Sequence, residues 1–319
     1  MKSQFFYQLF LYNFSGGIME KEILDFYLQT SIFTNYGPYK EYFQNLPDDM
    51  EELTNLLIEQ TIHRKELIRS SIKMNETGIC DGIAKEYPWW GYRSHDDILL
   101  TVPAIMAELN RLDERGIFHG REISKKVVIT CRYVAILIAS ILKAKGIPTR
   151  VRSGFASYLS DNGKSYDHWI VEYYNKEEKR FVICDPYKNI GSRHIDMNYD
   201  DFGWVAKIWL DIRRGKDSID KYIHGSSYQG LQMLARSLFF DFHALMNDEI
   251  SYLFFPTYID SDEEFFNLKP DDLKELDDLA TLMLDPDKNF FELLYIFKND
   301  KKLRVLNTPL LGDKDHLEL

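Results

Sequence analysis

The clearest hydrophobic pattern in the chain is an apolar run of helix length that begins at Cys131. The run is too long for one β-strand, so it predicts a helix that begins at the cysteine and packs in the core. Thr130 precedes it and is a residue type that can cap a helix. A Lys-Gly-Ile-Pro stretch at 145–148 predicts the helix end, because glycine and proline are typical of helix C-termini.

Three segments rich in β-branched and aromatic side chains follow the helix, at 149–155, 166–174 and 179–184. A polar turn at 175–178 separates the last two, and this order predicts an antiparallel hairpin. His168 lies at the start of one hairpin strand and Asp185 just past the end of the other. Pairing of the two strands would bring these side chains close together.

Cys131, His168 and Asp185 are the residue types of a thiol-based catalytic triad. The N-terminus of a helix favours thiolate over thiol, a histidine can carry the proton, and a carboxylate can orient the imidazole. Each residue alone also has an ordinary interpretation, as a core thiol, a strand-end histidine or a turn former. Asp167 and Asp196 are rival carboxylates. Asp167 neighbours the histidine in a strand and so points to the other face, and Asp196 is further from the strand end, which favours Asp185.

These motifs resemble the transglutaminase-like superfamily, the papain-like group that includes tissue transglutaminases, peptide N-glycanases and many bacterial proteins. The motifs that carry the resemblance are Thr130-Cys-Arg-Tyr, the Lys-Gly-Ile-Pro-Thr-Arg-Val-Arg-Ser-Gly stretch at 145–154, the Asp-His-Trp-Ile-Val-Glu stretch at 167–172, and Asp185-Pro186. The resemblance covers residues 80–190, and a looser similarity to one bacterial branch extends over 239–249. The chain departs from the family pattern in two places. Ile129 stands where a glycine is common, and Trp169 directly follows the histidine instead of being separated from it by one residue.

The resemblance implies an α+β papain-like core, in which the nucleophile helix packs on an antiparallel sheet, with N- and C-terminal helical extensions. The predicted division of the chain is a leader that is either untranslated or disordered at 1–18, an N-terminal helical region at 19–79, the catalytic core at 80–200, and a mainly helical extension packed on the core at 201–319. In this interpretation natural translation begins at Met19.

Periodicity predicts further helices in both extensions. Their expected ranges are Pro47 to about Met74, 96–112, 201–214, 226–253 and 271–284. No Gly/Ser linker or internal repeat separates the two halves, so one α+β domain with helical additions is expected.

The chemistry that the triad permits is acyl transfer through a thioester at Cys131. The expected activity is cysteine-protease-like or amidase-like hydrolysis of a peptide, protein or small amide substrate. One alternative is an amine-accepting transglutaminase. Another, from a different class, is a catalytically silent transglutaminase-like scaffold that binds a peptide or protein. The backbone N–H of Cys131 is expected in the oxyanion hole, and the candidates for a second donor or a substrate contact are Thr130, Trp89, Trp90 and Trp169.

Composition bounds the class of protein. The chain has 319 residues, a net charge of −11, 45% hydrophobic residues and 28% charged residues, which is typical of an ordinary globular protein. The acidic balance argues against a nucleic-acid partner, and the apolar run near the N-terminus is too short to span a bilayer. Three widely spaced cysteines form no disulfide framework and favour the cytoplasm. No metal or cofactor is predicted, and the oligomeric state stays open.

Overall fold

The computed structural model describes residues 16–67, 83–87, 95, 98–160, 162–187, 195–225, 230–254 and 268–305. The α-helices in these ranges are α1 (Gly16–Leu28), α2 (Lys40–Gln44), α3 (Met50–Ile58), α4 (Ile83–Glu86), α5 (Val102–Leu112), α6 (Cys131–Ala144), α7 (Val205–Arg213), α8 (Gly230–Leu245), α9 (Pro270–Met283) and α10 (Phe290–Asn299). The strands are β1 (Thr61–Ile62), β2 (Val127–Val128), β3 (Thr149–Ala156), β4 (Ser165–Asn175), β5 (Arg180–Cys184), β6 (Gly203–Trp204) and β7 (Tyr222–Ile223). Short 3-10 helices lie at Gly37–Tyr39, Ile123–Lys125, Tyr199–Asp201 and Ile219–Lys221.

The central sheet has the order β5-β4-β3-β6, and β7 pairs with the start of β4. β3 and β4 are antiparallel along their whole shared length, with Thr149 opposite Tyr173. β4 and β5 form the predicted hairpin, with Val171 opposite Cys184. A separate pair of two-residue strands, β1 and β2, is parallel and leads directly into the N-terminus of α6.

Helix α6 lies against β3 and β4 and is buried along all 14 of its residues. Its C-terminus ends as the sequence predicts. Gly146 adopts a φ of 78°, its N–H donates to the carbonyl of Lys143, and the N–H of Ile147 donates to the carbonyl of Leu142. This is the Schellman pattern, which satisfies the last carbonyls of the helix and turns the chain into β3.

A buried ion network fixes the sheet to the C-terminal extension. Glu172 on β4 accepts hydrogen bonds from Arg150 at 2.8 Å and Arg152 at 2.9 Å, both on β3. Arg152 also donates two bonds to Asp241 of α8, at 2.9 and 2.8 Å. Arg150 forms an ion pair with Asp287, which precedes α10. Each buried charge therefore has an opposite charge beside it, as burial requires.

The α+β class and the helix packed on an antiparallel sheet are confirmed. The helices predicted at 201–214 and 271–284 are present with shifts of a few residues at their ends. In the described part of the chain, none of the helices combines the length and the apolar character that crossing a membrane requires. The proposed domain boundaries stay predictions.

Two predicted helices are wrong at their C-terminal ends. The helix expected from Pro47 to about Met74 stops at Ile58, because the β-branched pair Thr61-Ile62 is paired with β2. The helix expected over 226–253 stops at Leu245, because Asn247 adopts a φ of 58° that ends the helix. At the N-terminus, α1 begins at Gly16, inside the predicted leader, and residues 1–15 lie outside the described residues.

The ion network predicts the effect of Glu172→Gln. Loss of the carboxylate leaves two buried guanidinium groups short of negative charge, so the free energy of unfolding at pH 7 should fall by about 3 kcal/mol, measured by urea denaturation. The arginines hold the pKa of Glu172 at about 2, below its ordinary value of 4.5, although burial acts in the opposite direction. The stabilisation is therefore present above about pH 4.5 and is lost as the pH falls toward about 2.

The matched control is Glu177→Gln in the exposed turn between β4 and β5. This change should alter the free energy of unfolding by no more than about 0.5 kcal/mol. The free energy of unfolding of Glu172→Gln should approach that of the wild type as the pH falls. If the two free energies differed by the same amount at neutral and acidic pH, the lowered pKa of Glu172 would be contradicted.

Candidate active site

The thiol of Cys131 lies at the first position of α6, as the sequence predicts. Thr130 occupies the N-cap position with an extended backbone, at φ −95° and ψ 177°, but its side chain makes no capping hydrogen bond. The first N–H groups of a helix have no acceptor within the helix, and they point toward the space in front of it. Cys131 is only 4% exposed, so its sulfur lies in a low-dielectric environment beside these groups.

Among the described residues, three side chains lie at the sulfur. His168 and His63 lie close enough to lower the pKa of the thiol. The hydroxyl of Tyr252 lies 3.7 Å from Sγ. These three residues come from β4, from the segment after β1, and from the segment after α8, so widely separated parts of the chain meet at one atom.

Asp185 binds the other side of the His168 ring. Its Oδ2 lies 2.9 Å from His168 Nε2, which leaves Nδ1 as the ring nitrogen for the sulfur. The same carboxylate accepts a hydrogen bond from the hydroxyl of Tyr158 at 2.6 Å and one from the backbone N–H of Tyr187 at 2.8 Å. Asp185 is fully buried, and three donors therefore fix its position.

The electrostatics of the site favour a thiolate beside an imidazolium. Burial alone would raise the pKa of Cys131, but the charge and hydrogen bond of His168, with a further contribution from His63, lower it to about 6. Burial alone would lower the pKa of His168, but Asp185 and Cys131 raise it to about 10. Burial would raise the pKa of Asp185 too, and its hydrogen bonds and His168 hold it below its ordinary value.

The family model described as the transglutaminase-like superfamily matches residues 123–186. Residues 123–186 are therefore similar to the core of that superfamily. The matched segment spans β2 through β5 and includes Cys131, His168 and Asp185, and the superfamily generally includes cysteine-dependent acyltransferases and peptidases. No curated protein and no solved structure matches the chain significantly. The match ends before residues 239–249, so the looser similarity to a bacterial branch stays a prediction.

Both rival carboxylates lie elsewhere in the fold. Asp167 accepts a hydrogen bond from the backbone N–H of Gly225 at 2.7 Å and lies 3.6 Å from His224 Nε2. Asp196 pairs with Arg180 on the surface. Of the three predicted carboxylate candidates, the fold brings Asp185 to the histidine that contacts the sulfur.

Of the four residues predicted as a second oxyanion donor or a substrate contact, the structure describes two. Thr130 adjoins the thiol at the helix cap and is 6% exposed. Trp169 is 1% exposed and packs in the core against Phe240 and Tyr252, so it supports a residue that contacts the sulfur. Trp89 and Trp90 lie outside the described residues. In the described ranges, no group of three or more His, Cys, Asp or Glu side chains is arranged to hold a metal ion.

His63 and Tyr252 are the residues at the sulfur that sequence reasoning missed. Both lie inside helices that were predicted to run too far. The β-branched Thr61-Ile62 pair before His63 is the signal for a strand there, and Asn247 before Tyr252 is the signal for a helix end. Neither signal indicates by itself that these segments reach the thiol.

Arg132 explains how the segment with Tyr252 reaches the thiol. This fully buried side chain, next to Cys131 in sequence, donates from Nε to the carbonyls of Glu249 at 3.0 Å and Ile250 at 2.9 Å. A second nitrogen of the same guanidinium also bonds the Glu249 carbonyl. The N-terminus of α6 therefore supplies the thiol and also anchors the segment that covers it.

The lowered pKa predicts how Cys131 reacts with iodoacetamide. Its thiolate is present above about pH 6 and is lost as the pH falls below that value, so the alkylation rate should reach half of its plateau near pH 6. Peptide mass spectrometry across pH 5 to about 9 measures this rate. Cys184 is the internal control. It is fully buried and burial raises its pKa, so the folded protein should leave it unlabelled.

In urea Cys131 and Cys184 should both react with the ordinary midpoint of about 8.5. A folded protein in which Cys131 also has that ordinary midpoint would contradict the thiolate–imidazolium pair.

Proposed function

We propose that this protein is a cysteine-dependent acyl-transfer enzyme that hydrolyses an amide bond of a peptide, protein or small amide substrate through a thioester at Cys131. The observation that carries the proposal is the position of the Cys131 thiol at the N-terminus of α6, beside His168, whose Nε2 lies 2.9 Å from the buried carboxylate of Asp185. The lowered pKa of the thiol supports it, because the thiolate is the nucleophilic form.

The first half of the reaction forms the thioester. The Cys131 thiolate attacks the carbonyl carbon, a C–S bond forms, and the carbonyl π electrons move to oxygen. When the tetrahedral intermediate collapses, the C–N bond breaks and the imidazolium of His168 gives its proton to the leaving nitrogen. Asp185 keeps the ring oriented and stabilises its charged form before that transfer.

The second half releases the acid. The neutral ring of His168 takes a proton from a water molecule, whose oxygen attacks the thioester carbon. Breakage of the C–S bond returns the thiolate, and the proton on His168 restores the imidazolium. Tyr158 and the backbone N–H of Tyr187 keep the Asp185 carboxylate ionised and in place throughout, since both donate to it.

Trapping of the acyl-enzyme tests the proposal directly. The purified protein is mixed with p-nitrophenyl acetate, quenched in acid, and weighed by intact-protein mass spectrometry. One acetyl group should appear on Cys131, and it should be absent from Cys131→Ala and greatly reduced in His168→Ala, which lacks the proton carrier. Cys184→Ala is the matched control and should be acetylated like the wild type, because that thiol is buried away from solvent.

The fate of the acetyl group separates the alternatives. Acetate alone as the product, with methylamine present, supports the hydrolase. Acetylated methylamine would support an amine-accepting transglutaminase instead. A wild type that is never acetylated would leave the catalytically silent scaffold as the better interpretation.

Asp185→Asn tests the orienting carboxylate. The amide cannot stabilise the imidazolium, so acetylation should slow by about 100- to 10,000-fold. The alkylation midpoint of Cys131 should also move to higher pH, since the charge of Asp185 helps to keep His168 protonated. Asp196→Asn is the matched control. It removes a surface ion pair with Arg180 and should change both rates by less than about twofold. Equal effects of the two changes would contradict the assignment.

A further inference from the structure

His63 reaches the thiol through the small parallel sheet. Thr61 and Ile62 pair with Val127 and Val128, and the N–H of Ile129 donates to the carbonyl of Ile62 at 3.1 Å. His63, which directly follows β1, therefore lies beside Ile129, two positions before Cys131. This register places the imidazole of His63 at the N-terminus of α6, close enough to the sulfur to lower the pKa of the thiol.

The contacts of His63 fix its tautomer. The backbone N–H of Lys65 donates to Nδ1 at 3.2 Å, so Nδ1 is an acceptor and the neutral ring carries its proton on Nε2. A second proton on the ring would break this bond. His168 is in the opposite situation, because its second nitrogen is bound to a buried carboxylate that favours the charged ring.

The ring of Tyr187 holds the two imidazoles in separate places. It contacts His63 edge-on, with 5.9 Å between ring centroids, and contacts His168 in the same manner at 5.8 Å. The two imidazoles beside the thiol therefore have different second partners, a buried carboxylate for His168 and a backbone N–H for His63. Two histidines with such different second partners are suited to different steps of one reaction.

We propose that the Nε2–H of His63 is the side-chain donor of the oxyanion hole, acting together with the backbone N–H of Cys131. The inference rests on the proposed acyl transfer. In the free protein the ring of His63 lies near Sγ. When Sγ binds the carbonyl carbon, the sulfur loses its negative charge. The charge moves to the former carbonyl oxygen, which is attached to the same carbon. The Nε2–H then donates a hydrogen bond to this oxyanion, and no proton leaves His63.

The two amide substitutions at this position separate donor loss from local disruption. Asn at position 63 can still accept from the Lys65 N–H through Oδ1, but it is too short to place a donor where Nε2 lies. Gln is long enough to place an amide N–H there. His119→Gln is the matched surface control, since this histidine is exposed and pairs with Glu59.

The experiment compares two reactions of Cys131 in each variant at one pH. Alkylation by iodoacetamide displaces iodide and forms no oxyanion, whereas acetylation by p-nitrophenyl acetate passes through one. His63→Asn should reduce the acetylation rate by about 100- to 1,000-fold more than the alkylation rate. His63→Gln should restore acetylation to within about tenfold of the wild type and keep its pH profile. His119→Gln should leave both rates unchanged.

Four results would overturn the inference. Equal losses of alkylation and acetylation in His63→Asn would mean that His63 only adjusts the thiol. Unchanged acetylation in His63→Asn, or a His63→Gln variant as slow as His63→Asn with a wild-type melting temperature, would exclude the donor role. A wild type that is not acetylated at all would remove the proposed function and this inference together, and the first case differs because there the wild type is acetylated normally.

Discussion

A helix that is apolar on every side has to be covered on every side, and this constraint on α6 organises the rest of the structure. All 14 of its residues are buried. β3 and β4 cover part of its surface, and α2, α3 and α5 pack against it from the N-terminal part of the chain. Segments outside the matched range are therefore needed to bury α6, because residues 123–186 do not include those three helices.

The few polar side chains on α6 determine where the segments that cover this helix bind to it. Arg132, near its start, binds the carbonyls of Glu249 and Ile250. Lys143, near its end, donates to the carbonyl of Gln29 at 2.9 Å and also bonds the side chain of Asn247. A buried cation needs such partners, so each one specifies a single position for the chain that covers it. Burial of this end of the helix lowers the pKa of Lys143 to about 8.

Sequence patterns predicted the part of the site that depends on local structure. Cys131 follows from the start of an apolar helix, and the pairing of His168 with Asp185 follows from a hairpin whose turn is short enough to set the register. His63 and Tyr252 depend on contacts between distant segments, for which neither periodicity nor propensity carries information. A two-residue strand such as β1 is also too short to show a period, and its pairing with β2 outweighs the helical pattern around it.

The acidity of the thiol has a consequence for the folding of this protein. One residue beside the sulfur, His63, comes from the N-terminal side of the core. Another, Tyr252, lies 121 positions after Cys131 in the chain. Both contacts therefore need the fold that brings these distant segments together. An unfolded molecule holds an ordinary thiol, while a folded one holds a thiolate near neutral pH. At that pH an alkylating reagent therefore marks the molecules that have completed folding, the reverse of the usual thiol assay, in which a reagent marks those that have opened.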